Sequence, residues 1–459
     1  MKTSRLLHFS FLFLTFLARA TAAEKSQSEQ ASTIATMVQK AMKTEHLRAV
    51  IVKVTQGDKV LINQAFGESM NGVPATTAMH FRNGAVAFTY LGTLLMEFVD
   101  EHKVKLDDTI ERWMPTLPEA NKVTLKMLAN QTSGYPDYEA DPKWVAAFIA
   151  DPFHIWTFEE RLKYAFSRPV QFDPGTNWSY SHTNFMILGE ILSKIGKKPL
   201  DALLREKVLD PMGLKNTTAS QTSEIPSPVL HAFDSERRGA LKIPSDVAFY
   251  EESSFWNSQW GTPIGANQTT TIDDMAMTAV KVGTGALLSK SSYEAMTDPH
   301  LLGFGHKHDN CDACFTQTNF YNYGLGIVRS GSWLLQNPML GGYSATIAYL
   351  PTGKIAIAVF VTYAPEAFDS QGNYKNSSDM LFRSIGAYMA PDDAPPPAPT
   401  PASTQATPSL TNPSVQSAIV AAVENDRKRY GGHEPIPATL IGVWDSKGES
   451  FITTRRRQT

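Results

Sequence analysis

The sequence predicts an α+β fold whose terminal strands share one sheet. Three features lead there. β-rich runs occur early, in AVIVKVTQGDKVLINQAFG from Ala49, and late, in YSATIAYLPTGKIAIAVFVTYA from Tyr343. Between them lies a mixed, loop-rich stretch from Leu106 to about His300 with helical patterns in it. Strands at both ends of a segment with helices between suggest terminal strands that share one sheet.

Taken in order, the chain begins with Lys2 and Arg5, then the apolar run LLHFSFLFLTFLA, then ARATAAEKS with small residues at cleavage spacing. This is the pattern of a secretory signal peptide, cut after Ala22 or Ala23. The run is shorter than the roughly 20 residues a membrane span needs. No later segment is apolar for long enough, so no stable span is expected after cleavage and the protein is read as exported, to the periplasm, the cell envelope or the medium. A polar stretch from Glu24 to Ser32 precedes a helical pattern through about His46. Two β-rich runs follow, joined by Gln56-Gly57-Asp58 as a hairpin. In FRNGAVAFTYLGTLLMEFVDE, from Phe81, the residues Phe88, Leu91, Leu95 and Phe98 recur at helical steps, which predicts an apolar stripe on one face. YGLGIVRSGSWLLQ and the two runs around Pro351-Thr352-Gly353 complete the strands.

The main domain is expected over 34–389. From Pro391 the chain reads PDDAPPPAPTPASTQATPSLTNPS, the composition of an extended linker over 390–414. Residues 415–459 then offer a helical pattern and ATLIGVWDSKGESFITT, a strand, turn and strand. The order repeats that of AVIVKVTQGDKVLINQ, so the tail reads either as the start of a second copy of the domain or as an extension that happens to form a helix and hairpin.

Composition excludes some partners. The 459 residues carry a formal net charge of −3 with 42% hydrophobic and 19% charged residues, so nothing points to nucleic acid or an anionic membrane surface. Arg455-Arg456-Arg457 is too short to change that. The two cysteines, Cys311 and Cys314, sit in HKHDNCDACF. A short-loop disulfide suits an oxidising compartment; the flanking His306 and His308 keep zinc as the alternative, although no second ligand pair with finger-like spacing accompanies them. No phosphate loop, H-E-x-x-H or dinucleotide fingerprint occurs, and no cofactor is expected.

Seven stretches in sequence order carry a resemblance: FRNG at Phe81, LDD at Leu106, LANQTSGYPDY at Leu128, PGTNWSYSHTNFMILGEIL at Pro174, DPMGLKNT at Asp210, YGLG at Tyr323 and GGYSATIAYLP at Gly341. Together they resemble the serine β-lactamase and penicillin-binding-protein family, in the branch with class C β-lactamases, D-alanyl-D-alanine carboxypeptidases and esterases. The resemblance implies a β-lactamase/transpeptidase-like fold, an antiparallel sheet flanked by helices plus a helical subdomain, and a hydrolase site. Such a site needs a serine at a helix start and a lysine at i+3 on the same helix face. It also needs the tyrosine of a Y-x-N motif, and a K-T-G or H-x-G motif on an edge strand.

Aligned on FRNG, this sequence has Ala85 at the serine position and Phe88 at the lysine position. Neither can perform its counterpart's chemistry. Tyr180-Ser181-His182 keeps the tyrosine and puts a histidine in place of asparagine, which makes Tyr180 and His182 the candidate proton-transfer residues, or else hydrogen-bonding members of the pocket wall. Gln336-Asn337-Pro338 falls where the third motif belongs, and Pro338 lacks a backbone donor there. The expected cleft is therefore lined by Ala85, Phe88, Tyr180, His182, Gln336 and Asn337. Ser133, Ser344, Asp107, Asp108 and Asp137 read as structural loop, turn and cap residues. Asn130, Asn177, Asn216, Asn267 and Asn376 stand in N-x-S/T sequons. Two functions follow from the resemblance and its gaps: a non-catalytic binder of peptide, cell-wall-derived or protein ligands, or an amide or ester hydrolase working through Tyr180 and His182.

Overall fold

The computed structural model describes residues 26–398, apart from 221, 240, 245, 246, 299 and 312, and the backbone of 438–444 and 450–456. The expected signal peptide, most of the linker and the helical part of 415–459 lie outside the described residues. The chain divides into two units between Pro397 and Ala398.

The first unit is built on an antiparallel sheet whose middle is made by the two ends of the domain. Leu47–Gln56 pairs with Ile355–Tyr363 on one side, Val52 opposite Val359, and with Lys59–Met70 on the other. Ile355–Tyr363 pairs in turn with Tyr343–Leu350, which pairs with Trp333–Gln336. Every residue of Tyr343–Leu350 and Ile355–Tyr363 is buried, so these strands read as continuous apolar runs because both faces are covered. Helices Ile272–Gly283 and Ser377–Met389 cover them, and Gln27–Thr44 packs on Leu47–Gln56 and Lys59–Met70.

Several boundaries differ from the sequence expectation. The first helix begins at Gln27, inside the polar stretch Glu24 to Ser32 expected to precede the helical pattern. Ser26 and Glu29 form a reciprocal capping box that starts it early. The Val86–Asp100 helix is buried on all sides, from Val86 through Met96 and again at Phe98, so it is an interior helix and not a one-sided stripe. Residues 390–397, expected as linker, pack on the domain: Trp333 Nε1 donates to Asp393 O at 2.7 Å and Arg383 Nη1 to Pro396 O at 2.6 Å. Prolines here follow the surface as a strap with accepting carbonyls.

In the second unit, Ala438–Trp444 and Ser450–Arg456 form an antiparallel hairpin with Ile441 opposite Thr453.

Candidate functional site

The site assembles where three segments meet. The first is the entry to the buried helix. Phe81 and Arg82 pair with Thr270 and Thr269, and the Phe81 ring stacks on Phe360 of the central sheet at 3.6 Å between centroids. Asn83 is held by Gln268, through N–H to carbonyl at 3.1 Å and Nδ2 to Oε1 at 2.9 Å. Gly84 then turns the chain at φ +54°, and the helix starts with Ala85 at its N-cap, where no side chain caps the free amides.

The second segment is the turn into helix His182–Gly196, built by the loop Gln131–Gly134. Gln131 Oε1 accepts from Ser181 N at 3.1 Å and from Asn184 Nδ2 at 2.6 Å. Ser133 Oγ donates to Asn184 Oδ1 at 2.5 Å. Ser133 is fully buried in this role. Tyr180 and His182 are thereby presented on the cleft wall. The third segment, Gln336-Asn337-Pro338, follows strand Trp333–Gln336 and faces Gly84: a Cβ on Gly84 would sit 2.9 Å from Pro338 Cβ. Gln336 Nε2 donates to Gly326 O at 2.9 Å, and Asn376 Nδ2 to Asn337 O at 2.8 Å.

The cleft between them has a volume of about 310 Å³ and is lined by Gly84, Ala85, Tyr180, His182, Gly261, Thr262, Tyr321, Gln336, Asn337, Pro338, Met339, Leu340 and Asn376. Among these residues there is no serine, cysteine or lysine; the hydroxyls present belong to Tyr180, Thr262 and Tyr321. Of the sequence candidates, Ala85, Tyr180, His182, Gln336 and Asn337 come together here. Phe88 does not. Its ring is fully buried behind the wall and stacks on Phe185 at 3.9 Å and 4° between planes, because a benzyl group gains more from the helix interior than from a polar cleft.

Two residues that the sequence reading assigned no site role, Asp137 and Glu139, complete the constellation. His182 Nδ1 lies 2.9 Å from Asp137 Oδ2 and 3.2 Å from Glu139 Oε1. Asp137 also caps a short turn by accepting from Glu139 N at 3.1 Å, the cap role expected of it, but its second oxygen is turned to the histidine. Burial works against charge on His182, yet Glu139 and Asp137 outweigh it and raise its pKa to about 9. Burial pushes the Glu139 carboxyl up to about 8. The two acidic side chains facing Nδ1 thus favour the imidazolium form of His182. Burial, reinforced by the neighbouring Tyr323, raises the Tyr180 phenol well above the ordinary range, so it stays a neutral donor.

The other candidates are structural. Ser344 Oγ meets Tyr363 Oη at 2.6 Å inside the core. Asp108 Oδ2 accepts from Lys105 N at 2.9 Å. Asn130, Asn177 and Asn267 are buried, whereas Asn216 is exposed. Cys311 and Cys314 are joined by a disulfide. Cys311 Sγ rests 3.4 Å from Ser179 Oγ, next to Tyr180, and Asn177 Oδ1 accepts from His306 N at 2.9 Å.

The family model described as Beta-lactamase matches residues 34–378. The chain belongs to the β-lactamase family. Among curated β-lactamase-family relatives, it is 31% identical over 131 residues to the D-alanyl-D-alanine-carboxypeptidase/endopeptidase AmpH of Escherichia coli, covering 27% of this chain and 33% of that one. It is 27% identical over 172 residues to penicillin-binding protein 4* of Bacillus subtilis, covering 36% and 37%. The matched parts span about a third of each of these relatives. Among solved structures, the D-amino acid amidase of Ochrobactrum anthropi in complex with L-phenylalanine amide superposes with a TM-score of 0.63 at 21% identity, over 79% of this chain and 99% of that one. The D-stereospecific amidohydrolase of Streptomyces gives 0.62 at 22%, over 76% and 98%. SurE with D-Leu gives 0.55 at 17%, over 94% and 87%. These likenesses establish the β-lactamase/transpeptidase fold.

Proposed function

We propose that this β-lactamase-family protein is an exported, non-catalytic member that binds a peptide or cell-wall-derived ligand reversibly in the cleft. One observation carries the reading: at the helix start the cleft meets the Ala85 methyl group, and the position one turn on is the ring of Phe88, locked against Phe185. No hydroxyl and amine stand together there, so the acyl-enzyme route of S-x-x-K hydrolases has neither attacker nor base. The cleft retains what binding needs, namely apolar walls from Leu340, Met339 and Pro338 and convergent polar groups from Tyr180, His182, Gln336 and Asn337. The named carboxypeptidase relative makes a peptide ending in D-alanyl-D-alanine the first probe. Calorimetric titration with that peptide should give saturable heat that weakens in Tyr180→Phe and in His182→Gln. Equal heats in both variants, or none with the native chain, would remove the proposal.

The contact of His182 with Asp137 favours a second reading, a hydrolase in which Tyr180 and His182 move the protons. Its weakness is the imidazolium: a histidine already protonated near neutral pH is a poor general base. It predicts turnover of p-nitrophenyl acetate that vanishes in Tyr180→Phe; undiminished turnover there would rule it out.

A further inference from the structure

Arg82, two residues before the glycine that opens the cleft helix, is 1% exposed. Its Nη2 donates to Ser223 O at 2.5 Å. Its Nε and Nη1 have no hydrogen-bond partner among the described residues. The guanidinium borders a small cavity lined by Ser253, Ser254, Trp256, Leu340, Gly341 and Tyr343, none of which is a carboxylate. Glu252, which acts electrostatically on Tyr343, directs Oε1 to His231 Nδ1 and to Ser254 N, each at 3.2 Å. The hydroxyls around the cavity point their protons elsewhere: Ser253 Oγ donates to Gly341 O at 2.7 Å and Tyr343 Oη to Leu230 O at 2.6 Å. Burial of this cation lowers its pKa to about 10.

A cation held this deeply needs an opposite charge, because a hydrogen-bonding neutral molecule satisfies its N–H groups but leaves the charge uncompensated. The space is small. It offers about 10 Å³ to the centre of a water-sized sphere, enough for one such particle. We propose that the cavity beside Arg82 binds a single halide-sized monovalent anion, held against Nη1. Leu340 lines both this cavity and the cleft, so the anion would secure the Met339–Gly342 rim from behind. The inference stands whatever the cleft itself binds.

The test uses the full chain exchanged into sodium gluconate, then titrated with sodium chloride or bromide at constant ionic strength while Tm is followed. A saturable rise of a few degrees with the halides, absent with gluconate and absent in Arg82→Gln, is expected. Crystals grown with bromide should show an anomalous peak at Arg82 Nη1, and this reading decides the matter if Arg82→Gln does not fold. An equal response to all salts overturns the proposal. So does a halide-specific rise without an anomalous peak at Arg82, which would place the ion elsewhere or leave only water in the cavity.

Discussion

The rings of Phe88 and Phe185 lie face to face, 3.9 Å apart and nearly parallel, and this contact ties the helix start at the cleft to helix His182–Gly196. The Phe88 ring thus holds together the two helices on which the site is built.

Phe88→Ala should therefore cost about 3–5 kcal/mol, the usual range for emptying a buried phenylalanine site. Phe88→Lys should destabilise at least as much unless Ala85→Ser accompanies it, since a lone ammonium would be buried without a partner. Urea denaturation of the single and double variants checks both, and equal stabilities for all would show that the ring is not packed as described.

Stability should fall as pH rises through the alkaline range because of His182. Its folded pKa of about 9 exceeds the unfolded value of about 6.5. The contribution is complete below that unfolded value and is lost as pH climbs to about 9. In His182→Gln the decline between about pH 6.5 and 9 should flatten, and Asp137→Asn should lower the His182 pKa seen by NMR. An unchanged titration in Asp137→Asn would contradict the pairing.

Gly84→Ala should destabilise by more than about 1 kcal/mol, because Gly84 has φ +54° and a Cβ there would press on Pro338 Cβ at 2.9 Å. Thermal unfolding reads the loss; a neutral outcome would mean that Pro338 can retreat from the cleft mouth.

Replacing both Cys311 and Cys314 by serine should cost about 2 kcal/mol on the chain-entropy view of so short a loop. Hydrogen exchange should rise around Ser179 and Tyr180, where the bridge rests on Ser179 Oγ at 3.4 Å. Protection unchanged at Tyr180 would separate the disulfide from the cleft wall.

Much of the domain was legible because its signals are local. The hairpin of Ala49–Gln64 and the paired late strands followed from β-rich runs around turns, and FRNG, LANQTSG and SYSH located the cleft-building segments. What stayed hidden depends on contacts between distant segments. Asp137 looked like a loop cap because its bond to His182 spans 45 positions. Phe88 read as part of the cleft because helical position alone does not say that Phe185 waits behind it. Residues 390–397 looked like linker because composition does not reveal that Trp333 and Arg383 donate to their carbonyls.

The most direct measurement is the intact mass of the purified protein after prolonged incubation with benzylpenicillin and, separately, with a fluorophosphonate. The account predicts an unchanged mass with both reagents, while Ala85→Ser combined with Phe88→Lys gains one adduct at residue 85. A stoichiometric adduct on the native chain, mapped to any single residue of the cleft, would contradict it.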